Sequence, residues 1–320
     1  MATNYNITII NTSGATQSYL LFAVVPKVNA TSGEVYTNVF MAAPPIISKP
    51  NGSSQTYFNI TREFYAICGT SIRNLSAGVQ VGTSDYEPVV LGTNQKPGTT
   101  MSFTTADGAH FPMPPPAATA PNGGYTIATD SSFKIPNPNN TFIGLGGMNM
   151  NGNVVPVATF LAAPSTTYNI YPVVKYYIAT GTYSPGEIIN VQSIGVTQLV
   201  DFTSSTYNSV TYMQLNDGTY QLVSPTQAKE YKLLRLKMEK AKLLGYEQDF
   251  KEEEGKGSTR GDSGEGEPLA RELQDVFMKM LRSVEATAHG NGNGHANGKP
   301  VKASKLVAAA NGGGLEEEIL

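Results

Sequence analysis

The sequence contains no tryptophan, one cysteine and three histidines among its 320 residues. The single cysteine, Cys68, excludes an intrachain disulfide, and no His, Cys and carboxylate cluster has the spacing of a metal site. Charged residues make up only 15% of the chain, and the net charge of −3 offers no basic excess to neutralise nucleic-acid phosphates. These shortages argue against a disulfide scaffold, a metalloenzyme and a nucleic-acid-binding protein, and no cofactor is expected.

Long apolar segments are also missing. The longest apolar run, residues 20–26, is too short to span a bilayer, and the N-terminus has neither the basic nor the apolar region of a secretory signal. We therefore expect a cytoplasmic protein, with release by an unconventional route left open. As a partner, a membrane is less favoured than a second copy of the chain or a surface ligand such as a glycan.

The distribution of charge divides the chain near Ser224. Residues 1–224 contain 7 Lys/Arg and 9 Asp/Glu, which is 16 charges in 224 residues, whereas residues 225–320 contain 15 and 16, which is 31 in 96. The first part is rich in Thr, Ser, Asn, Tyr and Val, with many Gly and Pro, a composition typical of short strands separated by turns. The second part favours helices and disorder.

The first part also contains an internal duplication. Four segments agree in order and chemistry with four later ones: residues 5–9 with 125–129, 39–44 with 159–164, 56–57 with 167–168, and 64–70 with 176–182. Residues 76–81 similarly parallel 184–189. Chance similarity between β segments of biased composition is the alternative explanation.

The predicted fold is mainly β, with a duplicated antiparallel β-sandwich body followed by two amphipathic helices and a disordered tail. We expect one repeat over residues 1–106, a Pro-rich linker or loop over 107–124 and a second repeat over 125–224. Two immunoglobulin-sized sandwiches are the first expectation, and one pseudo-symmetric sandwich is the second. Asn216-Asp217-Gly218 and residues 149–153 predict hairpin turns.

The charged part predicts two helices. Ser224-Pro225-Thr226-Gln227 has the pattern of a capping box, so a helix is expected over residues 225–245. An acidic, Gly-rich linker over 246–267, a second helix over 268–288 and a low-complexity tail over 289–320 follow.

The apolar faces of these helices can pack within the chain or mediate self-association, in the manner of a coiled coil, and self-association is the predicted partnership. The predicted association face consists of Tyr231, Leu234, Met238, Leu269, Leu273, Val276, Phe277, Met280, Leu281 and Val284.

No motif identifies a reaction. Gly261-Asp262-Ser263-Gly264 resembles the tetrapeptide around the nucleophile of chymotrypsin-like serine proteases, but it lies in the predicted linker, without a partner histidine. Arg260-Gly261-Asp262 matches an integrin-binding tripeptide that is common by chance. No catalytic residue is therefore assigned, and a glycosidase-like or other enzyme without a recognisable motif ranks third among the functions.

The duplicated aromatic pairs are the best candidates for ligand binding. In a strand, one member of Phe64-Tyr65 and of Tyr176-Tyr177 faces the core while the other faces away from it. Tyr65 and Tyr177 could then stack on a sugar ring, one in each repeat. The leading hypothesis is a non-enzymatic, lectin-like binding or structural protein; a pore-forming protein that uses the hairpin 206–223 is the alternative.

Overall fold

The fold is described from a computed structural model. It describes residues 3–29, 33–49, 52–113, 118–137, 139–203 and 205–243. The strands of the first half are β1 Asn4–Asn11, β2 Tyr19–Ala23, β3 Lys27–Asn29, β4 Tyr36–Ala42, β5 Gln55–Thr61, β6 Phe64–Gly69, β7 Asp85–Val89 and β8 Thr100–Phe103. The later elements are β9 Tyr125–Thr129, β10 Phe142–Met148, β11 Val154–Leu161, β12 Thr167–Tyr171, β13 Lys175–Thr180, β14 Ile188–Ile189, β15 Gln198–Asp201, β16 Ser209–Gln214, β17 Tyr220–Leu222 and α1 Pro225–Leu243.

The strands form three sheets, so the mainly β fold is confirmed. Sheet I has the order β17-β16-β1-β5, and sheet III has the order β3-β12-β9-β8. Sheet II is the largest: eight strands run in the order β15-β13-β2-β4-β11-β10-β6-β7, and β14 pairs with β4. Every sheet combines strands from both halves of the chain, so the first expectation of two separate sandwiches is wrong. Each half instead supplies part of every sheet, as in the second expectation.

The strand order supports the duplication. If β2, β4, β6 and β7 correspond to β10, β11, β13 and β15, sheet II has the same order when counted from either end. Three strands of sheet I likewise correspond to three of sheet III: β1 pairs antiparallel with β5 and parallel with β16, while β9 pairs antiparallel with β12 and parallel with β8. The fourth strands do not correspond, because β17 pairs with β16 whereas β3 pairs with β12. Parallel pairs are the less common kind, which makes their matched placement a strong sign of common origin.

Strand register refines the sequence alignment. Tyr5 pairs with Ile60 and Tyr125 pairs with Ile170, so the match of Tyr5 to Tyr125 holds. The match of Thr56-Tyr57 to Thr167-Tyr168 is wrong by one residue. Ile7 pairs with Phe58 and Ile127 with Tyr168, which makes Phe58 the counterpart of Tyr168. Burial agrees, because Phe58 and Tyr168 are buried while Tyr57 is 47% exposed.

One large core holds the three sheets together. It contains Ile7 and Phe58 of sheet I, Ile127 and Tyr168 of sheet III, and the side chains on one face of sheet II, including Phe160. Sheets I and III therefore pack on the same face of sheet II, which we call its inner face. Two smaller apolar clusters lie on the outer face, and the segments that follow β6 and β13 cover them.

Those two covering segments were part of the predicted duplication, and they contact each other. Gly78 and Gly186 both adopt positive φ, at 83° and 87°, where glycine avoids the strain of a side chain. Gln80 forms an isolated antiparallel bridge with Glu187, and the Ile188 N–H donates to the carbonyl of Val79.

The predicted turns are confirmed. Gly218, at φ 81°, closes the hairpin between β16 and β17, and Gly152, at φ 79°, closes the hairpin between β10 and β11. The described residues of the Pro-rich stretch form no strand, but they are not detached from the body, because Phe111 and Ala120 are buried.

The predicted capping box is also confirmed. The Gln227 N–H donates to the Ser224 hydroxyl (3.3 Å), and the Ser224 N–H donates to the Gln227 side-chain oxygen (3.2 Å). Helix α1 covers Pro225–Leu243, which are the last of the described residues, and is the one helix among them. The second helix, the acidic linker, the tail, and the tetrapeptide and tripeptide within that linker lie outside the described residues.

Candidate functional site

The two tyrosines singled out from the sequence lie on the outer face of sheet II. Phe64 and Tyr176 contact the main core, whereas Tyr65 and Tyr177 belong to the outer clusters, so the expected alternation is confirmed. Their exposure differs. Tyr65 is buried, with 9% of its surface exposed, and its hydroxyl donates to Glu63 (3.2 Å). Tyr177 is half-buried. Tyr65 thus offers little ring surface to a ligand.

Register also shows that Tyr65 and Tyr177 are not counterparts. Val39 corresponds to Thr159 in the duplicated segment. Val39 pairs with Phe22 of the neighbouring strand, and Phe22 pairs on its other side with Tyr177. In the second copy, Thr159 pairs with Gly144, and Gly144 pairs on its other side with Ile67. On this path Ile67 is the counterpart of Tyr177, two residues from the sequence alignment. Counted from Met41 and Leu161, on the other side of the β-bulge between Leu21 and Phe22, the alignment is shifted by three residues in the same direction, so Tyr65 is not the counterpart of Tyr177 on either path.

Tyr177 stands near one edge of sheet II, in a patch with both apolar and charged components. Its ring stacks on buried Phe22 on one side, with centroids 5.4 Å apart. Its cross-strand partner on the other side, edge strand β15, is Leu199, which is 42% exposed. Lys175, two residues before Tyr177, forms an ion pair with its cross-strand partner Asp201 (Nζ–Oδ2, 2.8 Å).

The ion pair is held in a defined position. The hydrogen bond from Lys175, together with the N–H of Thr203 (2.8 Å from Oδ1), lowers the pKa of the Asp201 carboxyl. The carboxylate is therefore charged over the whole neutral range and still has free lone pairs. We call Lys175, Tyr177, Leu199 and Asp201 the edge patch.

The opposite edge of sheet II carries the corresponding pair. Ile67 faces Tyr86 of edge strand β7, as Tyr177 faces Leu199. Tyr86 is 49% exposed and meets Tyr65 edge-on, with centroids 6.0 Å apart. Each edge thus exposes one tyrosine beside an aliphatic residue. At one edge the tyrosine, Tyr177, lies on the inner strand β13, and at the other edge the tyrosine, Tyr86, lies on the edge strand β7. Tyr86 was not predicted as a candidate, because Asp85, Glu87 and Pro88 in its strand weaken the β pattern of the sequence.

Comparison with protein families finds a match over residues 2–226, to the family described as RhiA. The match covers 225 of the 320 residues. The chain belongs to the RhiA family. Comparisons with curated proteins and with solved structures find no match. The family match contains both edges of sheet II and ends in the first turn of α1, two residues after the change in composition at Ser224.

The cysteine and histidine of this RhiA-family body do not lie in a reactive setting. Cys68 is fully buried, and burial raises the pKa of its thiol far above its usual range. His110 is exposed, and its Nδ1 lies 2.9 Å from the carbonyl oxygen of Gly108. Within the described part of the chain, no three or more His, Cys, Asp or Glu side chains group as a metal site requires. No helix there is long and apolar enough to cross a membrane.

The predicted association face lies partly in α1. Tyr231, the first member of this face, is buried against the RhiA-family body. Its ring lies directly over Gly52, since the ring atoms of Tyr231 are the nearest atoms to the position that a Cβ on Gly52 would occupy. Leu234 and Met238 lie in α1 as well, and Leu233 and Leu236 are 55% and 52% exposed. The other members, Leu269 to Val284, lie outside the described residues.

Proposed function

We propose that this RhiA-family chain is a non-enzymatic, lectin-like binding protein whose outer sheet face binds a glycan. The edge patch is the observation that carries the proposal. Sugar rings present an apolar C–H face and a rim of hydroxyl groups. Aromatic rings such as that of Tyr177 suit the first, and the charged pair Lys175–Asp201 can donate to and accept from the second.

Tyr86 and its cross-strand neighbour Ile67, at the other edge of sheet II, form the second proposed site. With two sites, the proposed protein is bivalent. The midpoints of the β13–β15 and β6–β7 pairs are six strand spacings apart, which is about 30 Å for a spacing of about 4.8 Å. Both patches lie on the outer face, so two sugar units of one branched glycan, or of a glycan-coated surface, could be held together. Such bivalency raises the apparent affinity without new contacts.

Binding of the full chain to a glycan array tests the proposal. Tyr177→Ala should weaken binding to the retained glycans roughly tenfold, the scale of one aromatic contact with its buried area. Tyr86→Ala should weaken it on densely coated spots more than on sparse ones, because it removes one of the two sites.

Tyr57→Ala is the control, since Tyr57 is as exposed as Tyr86 (47% and 49%) and more exposed than Tyr177, but lies on sheet I. The proposal is wrong if no glycan is retained, or if Tyr57→Ala weakens binding as much as Tyr177→Ala does.

Self-association through the helical C-terminal part belongs to the proposal as well. It is supported by the apolar stripes of residues 231–241 and 269–284 in the sequence. With Tyr231 packed on the body, association through α1 would use the remaining apolar side chains of the helix.

A further inference from the structure

Edge strand β5, at the end of sheet I, is long and uncharged. Its seven residues, Gln55–Thr61, include no charged residue and no proline. The other edge strands of the three sheets, β3, β7, β8, β15 and β17, are all shorter, and β7 also contains two carboxylates and a proline. Natural proteins keep edge strands short, charged or covered, because a long uncharged edge pairs readily with another strand. The β5 edge is therefore a candidate interaction surface.

The counterpart of β5 in the duplicated half, β12, is covered by another strand. By the register of the two sheets, Asn59 of β5 corresponds to Asn169 of β12. Strand β3 pairs antiparallel with β12 and places Asn29 opposite Asn169. β3 lies in the connection between β2 and β4, whereas the corresponding connection between β10 and β11 is a short hairpin turn. That turn holds no counterpart of β3, and among the described residues no strand pairs with the outer side of β5.

The other position at which the two halves differ is covered by the chain itself. Strand β8 corresponds to β16, but within the described residues no strand lies beside β8 as β17 lies beside β16. The Pro-rich stretch covers that side of β8 at both ends. Gly98 exchanges backbone hydrogen bonds with Ala120 (3.0 and 3.1 Å), and Thr104 exchanges them with His110 (3.2 and 3.1 Å). The described residues therefore leave the position beside β5 open.

The backbone groups of β5 that face away from β1 follow from the ladder. The Arg62 N–H donates to the carbonyl of Thr3 (2.9 Å). At the other end, the Ser54 carbonyl accepts from the N–H of Asn11 (2.9 Å). Hydrogen-bonded pairs alternate along an antiparallel ladder, so the even-numbered residues of β5 bond to β1. The residues whose N–H and C=O groups face outward are Gln55, Tyr57, Asn59 and Thr61. These four residues are placed symmetrically about Phe58.

We infer that β5 pairs antiparallel with the β5 strand of a second copy of the chain, which joins sheet I of the two copies into one continuous sheet. A twofold axis at Phe58 places Tyr57 opposite Asn59 of the other copy, and Gln55 opposite its Thr61. All four outward-facing residues then form hydrogen-bonded pairs. The contact uses the same edge on both copies, so it closes with two chains.

Three features favour a second copy over a strand of another protein. The β3–β12 pair shows that the corresponding edge of sheet III accepts an antiparallel strand, and antiparallel is the arrangement that a twofold axis produces for two identical edges. Because β5 is uncharged, self-pairing brings no like charges together. Its only exposed side chains, Tyr57 and Asn59, give a foreign strand few groups to recognise. The inference is independent of the proposed glycan sites, which lie on sheet II.

Sedimentation equilibrium of the full chain tests the inference. The chain should show a reversible monomer–dimer equilibrium. Asn59→Pro should raise the dissociation constant of the dimer at least about tenfold, because each copy loses an outward N–H donor that the ladder to β1 does not use. Asn59→Ala is the matched control, since it keeps the N–H and should change the constant less than about twofold. Urea unfolding should give both variants similar stability, because an edge strand tolerates proline where the N–H faces outward.

Cysteine crosslinking tests the register and does not depend on the proline variant. A mixture of Tyr57→Cys and Asn59→Cys should form disulfide-linked dimers faster than either variant alone, because the two positions lie opposite each other with Cα atoms about 5.5 Å apart. The wild-type chain is the control for Cys68, which is fully buried. Association through the C-terminal helices would respond neither to Asn59→Pro nor to mixing. The inference is overturned if the chain is monomeric at every concentration, if Asn59→Pro leaves the constant unchanged, or if the mixture crosslinks no faster than the separate variants.

Discussion

The contact between Gly52 and Tyr231 allows a quantitative test of how α1 is attached to the body. Gly52 has φ 69°, and a Cβ placed there would lie 2.5 Å from the Tyr231 ring and 3.4 Å from Ile10. Gly52→Ala therefore adds two costs, the strain of a side chain at positive φ and the displacement of the Tyr231 ring. Tyr231→Ala removes the ring and with it only the second cost.

The two costs can be separated by size. An L side chain at positive φ costs about 1 kcal/mol, and exposing the Tyr231 ring, now 6% exposed, costs about 2 kcal/mol. Gly52→Ala should then destabilise the wild-type chain by about 3 kcal/mol, but the Tyr231→Ala variant by about 1 kcal/mol. Gly78→Ala provides the control for strain alone, because Gly78 has φ 83° and no atom within 4 Å of the added Cβ.

Urea unfolding of the four variants of the cycle gives the coupling energy, and limited trypsin digestion reports on the helix itself. Release of α1 should accelerate cleavage after the flanking residues Lys229 and Lys232 in Gly52→Ala and Tyr231→Ala, but not in Gly78→Ala. Equal costs for Gly52→Ala in both backgrounds would show that the ring does not hold the helix at this position, and the attachment would have to be explained by other contacts.

Two further outcomes follow from the shared core and from its tyrosines. Phe40 and Phe160 belong to the same core and are almost fully buried, so alanine at either position should cost about 3–5 kcal/mol and lower a single calorimetric transition; two transitions, each shifted by one variant, would contradict the shared core. Burial raises the pKa values of Tyr19, Tyr125, Tyr176 and Tyr220. The folded chain therefore keeps protons that the unfolded chain releases above about pH 10. Stability should be fully present below that pH and fall as pH rises, by up to about 1.4 kcal/mol per pH unit for each tyrosine. Melting curves and tyrosinate absorbance check this, and an unchanged midpoint above pH 10 would contradict it.

Local structure could be predicted well from local chemistry. The Ser224 capping box and the Gly218 and Gly152 turns depend on a few adjacent residues, and the structure has each of them. The alternation of Phe64-Tyr65 and Tyr176-Tyr177 was likewise predictable, because it needs only the two-residue period of a strand. These features decide which way a side chain points, but not which strand lies beside it.

Strand pairing could not be predicted, because it joins residues far apart in sequence. The parallel pairing of β1 with β16 connects Ile7 to Val210, and no turn between them signals it. For the same reason the repeats were expected to fold separately, although β4 and β11 pair with each other at the centre of sheet II. The edge patch escaped prediction as a unit since Lys175, Tyr177, Leu199 and Asp201 come together only through the β13–β15 register.

The register also explains why the duplicated aromatic pairs were misleading about function. Aligning Phe64-Tyr65 with Tyr176-Tyr177 maximises chemical similarity, but the backbone places Ile67 where the second copy has Tyr177. The exposed ring of the first copy is Tyr86, on the strand across from Ile67. By the same register, Tyr65 and Pro88 occupy the positions of Lys175 and Asp201. Both edges therefore have an aromatic and an aliphatic side chain, but only the β13–β15 edge has a charged pair beside them. If both edges bind ligand, the β13–β15 edge should require hydroxyl-rich ligands more strictly than the β6–β7 edge.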